Sequence, residues 1–307
     1  MISQPTRKTA DNQSRNPLPY LALAIGIISL SMTAMLVRWA HAPATITGFY
    51  RLLFASIILT PFFLQKNKSR LSFIRGHLFF PALGGLFTAL DFTFWNSSVL
   101  YTTASNATLL GNTAPIWVAL VTLWLFKKKL PGGFWVGLLL ALAGGALVMG
   151  SDFILHPRLG LGDLMAIAAG VFYAGYLLST QKGREHLDPL SYITIMVISA
   201  SFFIFLINLL LRQQFFDYPT QTWLVFLALA LVSQLLGYIS VSYALGHLPA
   251  SVVAPTMIGQ PILTTLLAIP LLGEIPHSFQ LWGGLIALAG IYLVHSAHQR
   301  SLQKTHA

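Results

Sequence analysis

Ten apolar stretches of about 20 residues follow one another along this chain with only short connections between them, and that alternation restricts the fold more than anything else. They lie near 18–37, 43–64, 78–99, 103–126, 132–150, 161–181, 189–211, 222–244, 249–272 and 278–296. In hydrocarbon every backbone N–H and C=O needs an internal partner, so runs of this length predict membrane-spanning helices. Only 8% of residues are charged and 55% are hydrophobic, far from the roughly 25% charge of soluble domains. The run after residue 17 is a full span without a small-residue cleavage site, so it reads as a retained helix rather than a signal peptide. Disulfides, thiol catalysis and cysteine-held metals are excluded because cysteine is absent.

The formal net charge of +10 points to topology rather than to nucleic acid, because the basic residues are scattered over short connections. With the N-terminus inside, fourteen lysines and arginines fall on one side: Arg7, Lys8, Arg15, Lys66, Lys68, Arg70, Arg75, Lys127, Lys128, Lys129, Lys182, Arg184, Arg300 and Lys304. Three fall on the other (Arg38, Arg158, Arg212), and Arg51 lies inside a span. This bias predicts both termini in the cytoplasm.

A shift of 146 residues brings Pro115 onto Pro261, Ser105 onto Ser251, Gly137 onto Gly283 and Gly144 onto Gly290 without a gap. Over 103–148 against 249–294 there are 14 identities in 46 pairs. Five spans per copy is an odd number, so the second copy enters the bilayer from the opposite side. The expected fold is therefore an all-α integral membrane protein, with ten transmembrane helices as two inverted five-helix repeats, a recurrent plan of transporters. Lys128 aligning with Glu274 agrees, since the two then lie on opposite sides. The expected organisation is a cytoplasmic tail (1–17), repeat 1 (18–150), repeat 2 (161–296) and a second cytoplasmic tail (297–307).

Polar residues inside spans are the candidates for function, because facing them to lipid is costly. Thr88, Asp91, Trp95 and Ser98 share one helical face, and Ser105, Thr108, Asn112 and Pro115 share another. Pro115 and Pro261 each sit about twelve residues into a span, roughly 18 Å deep. Each lacks an N–H and so frees a carbonyl, at Gly111 and Met257, beside Asn112 and Gln260. Arg51 and Asp91 are charges at matching depth in adjacent spans. They form either a structural ion pair or a coupling site in which Asp91 carries protons, since burial and a nearby arginine pull on a carboxyl in opposite directions. The remaining candidates for a substrate path are Trp95, Asn96, Asn106, Gln234 and Tyr238. Tyr173 and Tyr176 read either as path-lining or as an interfacial belt.

The stretch Gly160-Leu161-Gly162-Asp163 matches the GxGD of intramembrane aspartyl proteases. A second aspartate at the same depth is missing, and Asp163 at a helix entrance reads as an N-cap. No enzyme is expected, and no cofactor or metal.

The pattern Trp95, Tyr101-Thr102, Ala104-Ser105, Pro115, Gly137 and Gly144 is repeated as Ala250-Ser251, Pro261, Gly273-Glu274, Gly283 and Gly290. Together with Arg51 and Gly162-Asp163 it resembles the drug/metabolite transporter superfamily, EamA-type branch, over about residues 18–296. Two departures stand out: Lys127–Lys129, where members often carry a glutamate, and Val197, which aligns with Arg51. The resemblance implies a cavity between the halves and alternating access for a small polar or amphipathic metabolite such as an amino acid. Export across a bacterial inner membrane is expected, with uptake as the alternative, and the protein is expected as a monomer or homodimer. The proton is the candidate coupling ion, and the partners are substrate and lipid. A non-transporting membrane enzyme or assembly factor is the reading from another class.

The charge bias yields a direct test. Reporter fusions at Arg300 and at His156 are expected to report opposite sides of the membrane, and the same side for both would rule out the ten-span topology.

Overall fold

A computed structural model describes residues 17–68, 71–98, 101, 102, 104–149, 160–272 and 277–306. Arg7, Lys8, Arg15, Arg70, His156, Arg158, Gly273 and Glu274, used above, lie outside these residues, as do the side chains of Arg38, Ala104, Ser105, Asn106 and Lys304. The described residues contain helices and turns and no strand. In chain order the long helices are α1 (Leu18–Ser31, resuming Thr33–Trp39), α2 (Ala44–Asn67), α3 (Phe79–Ser98, after a short helix at Leu71–Arg75), α4 (Ala104–Gly111 and Ala114–Trp124) and α5 (Gly132–Met149). The second half repeats the series as α6 (Leu161–Gly183), α7 (Pro189–Leu210), α8 (Thr220–Leu229, Ala230–Tyr238 and Ile239–Leu245), α9 (Ala250–Thr256 and Gly259–Leu272) and α10 (Ser278–His306). Eight of these have the length and hydropathy of membrane spans, and α5 is a shorter apolar helix. The tenth, α3, has 20 residues, about 30 Å at the helical rise, and owes its lower hydropathy to Asp91, Asn96 and Ser97.

Local signals explain where helices begin. Pro189 stands in the first turn of α7, where its missing N–H costs nothing, and Asp188 caps that helix by accepting from the Ser191 N–H at 3.3 Å. In α6 the capping position is Gly160, and Asp163 lies in the third helical position with Oδ2 accepting from the Gly160 N–H at 2.9 Å. This corrects the expectation of Asp163 as the N-cap: its carboxylate reaches back over the first turn, as in half of a capping box.

The inverted repeat is written into the contact between α5 and α10. A Cβ on Gly137 would fall 2.7 Å from the Gly290 carbonyl oxygen, and one on Gly290 would fall 2.6 Å from that of Gly137. One on Gly144 would fall 2.5 Å from the Gly283 oxygen, and one on Gly283 would fall 2.8 Å from that of Gly144. Position increases along one helix as it decreases along the other, so the two run antiparallel. The partners also exchange under the 146-residue shift: Gly137 meets the image of Gly144, and Gly144 meets the image of Gly137. A contact that maps onto itself in this way is isologous, the mark of a two-fold axis, here relating two halves of one chain and passing near Ala141 and Ala287. Small residues are required because apolar side chains gain nothing over lipid, so close backbone approach supplies the attraction.

Gly144→Val is therefore expected to force α5 and α10 apart at a cost of at least about 1–3 kcal/mol. Size-exclusion profiles and melting temperatures in detergent should show lost folded yield. Gly132→Ala, where a Cβ has nothing within 4 Å, should behave as wild type.

Candidate functional site

Four helices depart from regular α-geometry inside the bilayer. The two prolines begin new half-helices rather than kinking continuous ones: α4 stops at Gly111 and restarts at Ala114, and α9 stops at Thr256 and restarts at Gly259. Carbonyls on either break find partners inside the protein, at Met257 and at Leu110. Met257 O accepts from the Gln260 N–H at 2.9 Å, and Leu110 O accepts from Thr113 Oγ1 at 2.6 Å. Gly170 of α6 has no side chain, so its backbone closes on the α4 break, with the Gly111 oxygen 3.0 Å from where its Cβ would stand. Helix α1 breaks at Met32, and Thr264 of α9 donates to the Ser31 carbonyl at 3.0 Å. Helix α8 carries the fourth irregularity, a π-helical stretch from Ala230 to Tyr238, a conformation often found at functional sites.

Between these irregular points lies a polar cluster drawn from both repeats. The Arg51 guanidinium of α2 is 6% exposed and stacks over the Phe92 ring of α3 at 4.0 Å. The Tyr238 hydroxyl lies beside it, and Asp91 is close enough to interact with it electrostatically. Among the described residues Arg51 and Asp91 do not form a contact ion pair. Tyr173 of α6 sits near Asp91, Tyr238 and Gln260. Its ring stacks on Tyr176 at 5.8 Å, and Tyr176 in turn meets Tyr238 at 5.3 Å. Phe92 and Tyr238 are 146 positions apart, so they are images of one another under the repeat. Touching both places Arg51 at the axis between the halves.

Asp91, Trp95, Asn96, Asn112, Tyr173 and Gln260 are half-buried, whereas Arg51, Gln234 and Tyr238 are enclosed. Arg51, Asp91, Tyr238 and Gln260 are thus brought to one place. Trp95 lies against the α4 break, 3.1 Å from the Cβ position of Gly111. Asn112 Nδ2 donates to Thr108 O at 2.8 Å within α4, where Pro115 is buried. Pro261 opens the second half of α9. Gln234, on the π-helical stretch, is fully buried with neither amide atom paired. Of the polar stripe on α3, Thr88 turns its hydroxyl to Gly84 O at 2.8 Å and packs on Met196, so that end meets a helix. Sequence reasoning missed Phe92, which carries no polar signal, and His295. The Thr256 hydroxyl spends its proton on Val252 O at 2.7 Å, so it accepts from His295 Nε2 at 2.8 Å, and α10 thereby braces the α9 break.

The repeats are also tied at both ends of the bundle. At one end Thr102 Oγ1 donates to Asp163 Oδ1 at 2.7 Å. At the other, Lys66 Nζ meets Asp188 Oδ1 at 2.9 Å, and Asn67 Nδ2 donates to Ser191 Oγ at 3.0 Å. Burial pushes the Asp188 carboxyl up, but the Ser191 hydroxyl and N–H and the Lys66 ammonium outweigh it and hold it below the usual carboxylate range.

Comparison with known proteins agrees with this architecture. The EamA-like transporter family matches residues 17–150 and again 160–296. An uncharacterized transporter of Archaeoglobus fulgidus is 30% identical over 255 residues, covering 80% of this chain and 86% of that protein. A protein of known crystal structure superposes with a TM-score of 0.75 at 17% identity, covering 90% of this chain and 96% of the other.

The Asp188 latch predicts a pH dependence with a definite sign. A carboxyl whose folded value is depressed stabilises fully above its unfolded value, about 3.9, and loses that stabilisation as pH falls through the folded value. Asp188→Asn should melt slightly lower than wild type at neutral pH and show a flatter decline below about pH 4. With side chains 52% and 36% exposed, the difference should stay under about 1 kcal/mol in thermal unfolding at a series of pH values.

Proposed function

This chain belongs to the EamA-like transporter family, and from that premise we propose that it is a secondary carrier moving a small polar or amphipathic metabolite by alternating access. The observation that carries this reading is the cluster of Arg51, Asp91, Tyr173, Tyr238 and Gln260 between the repeats. A guanidinium offers two parallel N–H donors to a carboxylate, and an aspartate accepts an ammonium or a proton. Tyrosines add apolar faces with a polar tip. Together these groups suit a zwitterion such as an amino acid. We assign Trp95, Asn96, Asn106, Asn112, Pro115, Gln234 and Pro261 to the surrounding path.

The basic residues set the orientation in this reading, with both tails cytoplasmic and the chain in a bacterial inner membrane. Residues 18–150 and 161–296 act as the two moving halves. Export is assigned from the resemblance alone. The mirrored breaks in α4 and α9 supply points where each half can bend without stranding backbone groups in lipid. Asp91 is assigned the coupling role because it remains half-buried and free of a contact ion pair, so a proton can reach it.

Purified protein in liposomes, offered a metabolite panel with and without a pH gradient, tests the carrier reading. Asp91→Asn is expected to fold at wild-type yield and to retain substrate exchange while losing at least about ten-fold of gradient-driven accumulation, some 1.4 kcal/mol of coupling. Full pH-dependent accumulation by that variant would remove the coupling role. A collapsed folded yield would instead assign Asp91 to holding Arg51 in the membrane.

A further inference from the structure

At the end where α2 meets α7, the α2–α3 connection of one repeat lies against the α6–α7 connection of the other, and two imidazoles face each other there. The ring centres of His77 and His186 are 4.7 Å apart, with planes inclined by 44°. His77 is half-buried, and its Nδ1 lies 2.8 Å from the Phe73 carbonyl oxygen. A carbonyl only accepts, so Nδ1 carries a proton, and in the neutral ring the lone pair is on Nε2. A backbone carbonyl fixing one ring nitrogen is the usual support of a metal-binding histidine, since it sets both tautomer and ring orientation. The Phe73 ring, centred 4.3 Å away, steadies the imidazole from the side. His186 is exposed in the turn that follows α6, with its backbone N–H donating to Gly183 O at 3.3 Å.

The spacing also lets both rings reach one ion. With metal–nitrogen bonds of about 2.0 Å, each ring centre stands about 3.2 Å from the ion, so rings 4.7 Å apart subtend roughly 95° at the metal. That angle is within the range imidazole ligands adopt on divalent transition metals such as Ni(II), Cu(II) and Zn(II). The neighbouring carboxylates are engaged, Glu185 with Lys182 at 3.0 Å and Asp188 with Lys66 at 2.9 Å. Among the described residues no group of three or more histidines or acids gathers as ligands, so water completes the shell.

We infer that His77 and His186 form a two-imidazole site for a divalent transition metal, and that its occupant fastens the two repeats together at this end. One ligand comes from each repeat, so the ion meets both only while the seam between them is closed, and its binding favours that arrangement by mass action. The consequence for transport rests on the alternating-access reading; the binding itself does not.

The experiment uses the full chain without a polyhistidine tag, purified in detergent at neutral pH and followed by thermal unfolding with added Ni²⁺ or Mg²⁺. Ni²⁺ is expected to raise Tm by about 2–4 °C in a saturable way, while Mg²⁺ leaves it unchanged. His77→Ala and His186→Ala should each fold normally and lose the shift. The site is overturned by no Ni²⁺ response in the wild-type chain, by an equal response to Mg²⁺, or by a response that survives His186→Ala. A Ni²⁺ shift in protein that moves no metabolite would support the site and remove only its consequence for transport.

Discussion

Everything in this structure follows from the cost of leaving a backbone N–H or C=O unpaired in hydrocarbon. That cost makes every span a helix, and it makes each break a place where the protein must supply a partner. The supply is visible in α1, α9 and α4. Thr264 answers the Ser31 carbonyl, the Gln260 N–H answers Met257, and the Thr113 hydroxyl answers Leu110. The irregular stretches of α1, α8 and α9 also meet one another, with Ser31 Oγ donating to the Gln260 carbonyl at 3.2 Å and Thr33 Oγ1 bonded to Ser233 Oγ.

The same absence of water removes the hydrophobic drive between helices and leaves close packing to hold them. The glycines at 137, 144, 283 and 290 serve this, and their reciprocal contacts join the last helix of each repeat. This part of the fold was legible in the sequence, because a helix crossing that needs no Cβ allows few substitutes, and the register of Gly and Pro therefore survives in both copies. The count of ten spans was legible for a coarser reason, since length and hydropathy are fixed by the bilayer.

The site was legible only in part. Arg51 and Asp91 announce themselves as charges in apolar helices, Gln260 as a polar residue beside the mid-span proline, and Tyr238 as a polar residue within a span. Their convergence depends on how helices separated by more than a hundred residues pack, and no local period carries that information. Phe92 gave no signal, because an aromatic ring beside a guanidinium looks like any other lipid-soluble residue until the cation is seen over its face. The role of Asp163 was misread by one turn, since a carboxylate at the third helical position and one at the cap differ only in where Gly160 places the chain. The histidines at 77 and 186 were invisible for the same reason as the central cluster: they come together only in three dimensions.

A symmetric scaffold with an asymmetric site calls for a physical reason. Under the 146-residue shift Arg51 corresponds to Val197 and Asp91 to Gly237, so neither charge is duplicated. Two buried guanidiniums near one axis would repel and would double the desolvation cost, whereas a single one placed between Phe92 and its image Tyr238 serves both halves at once. If the repeats exchange conformations, as the proposed cycle requires, groups far from the axis change their neighbours while one on it keeps equivalent partners. In that proposed cycle Arg51 would be the fixed point about which the halves interchange, and the asymmetry of its two partners, one a hydroxyl and the other a bare ring, would let the two states differ in free energy without moving the charge.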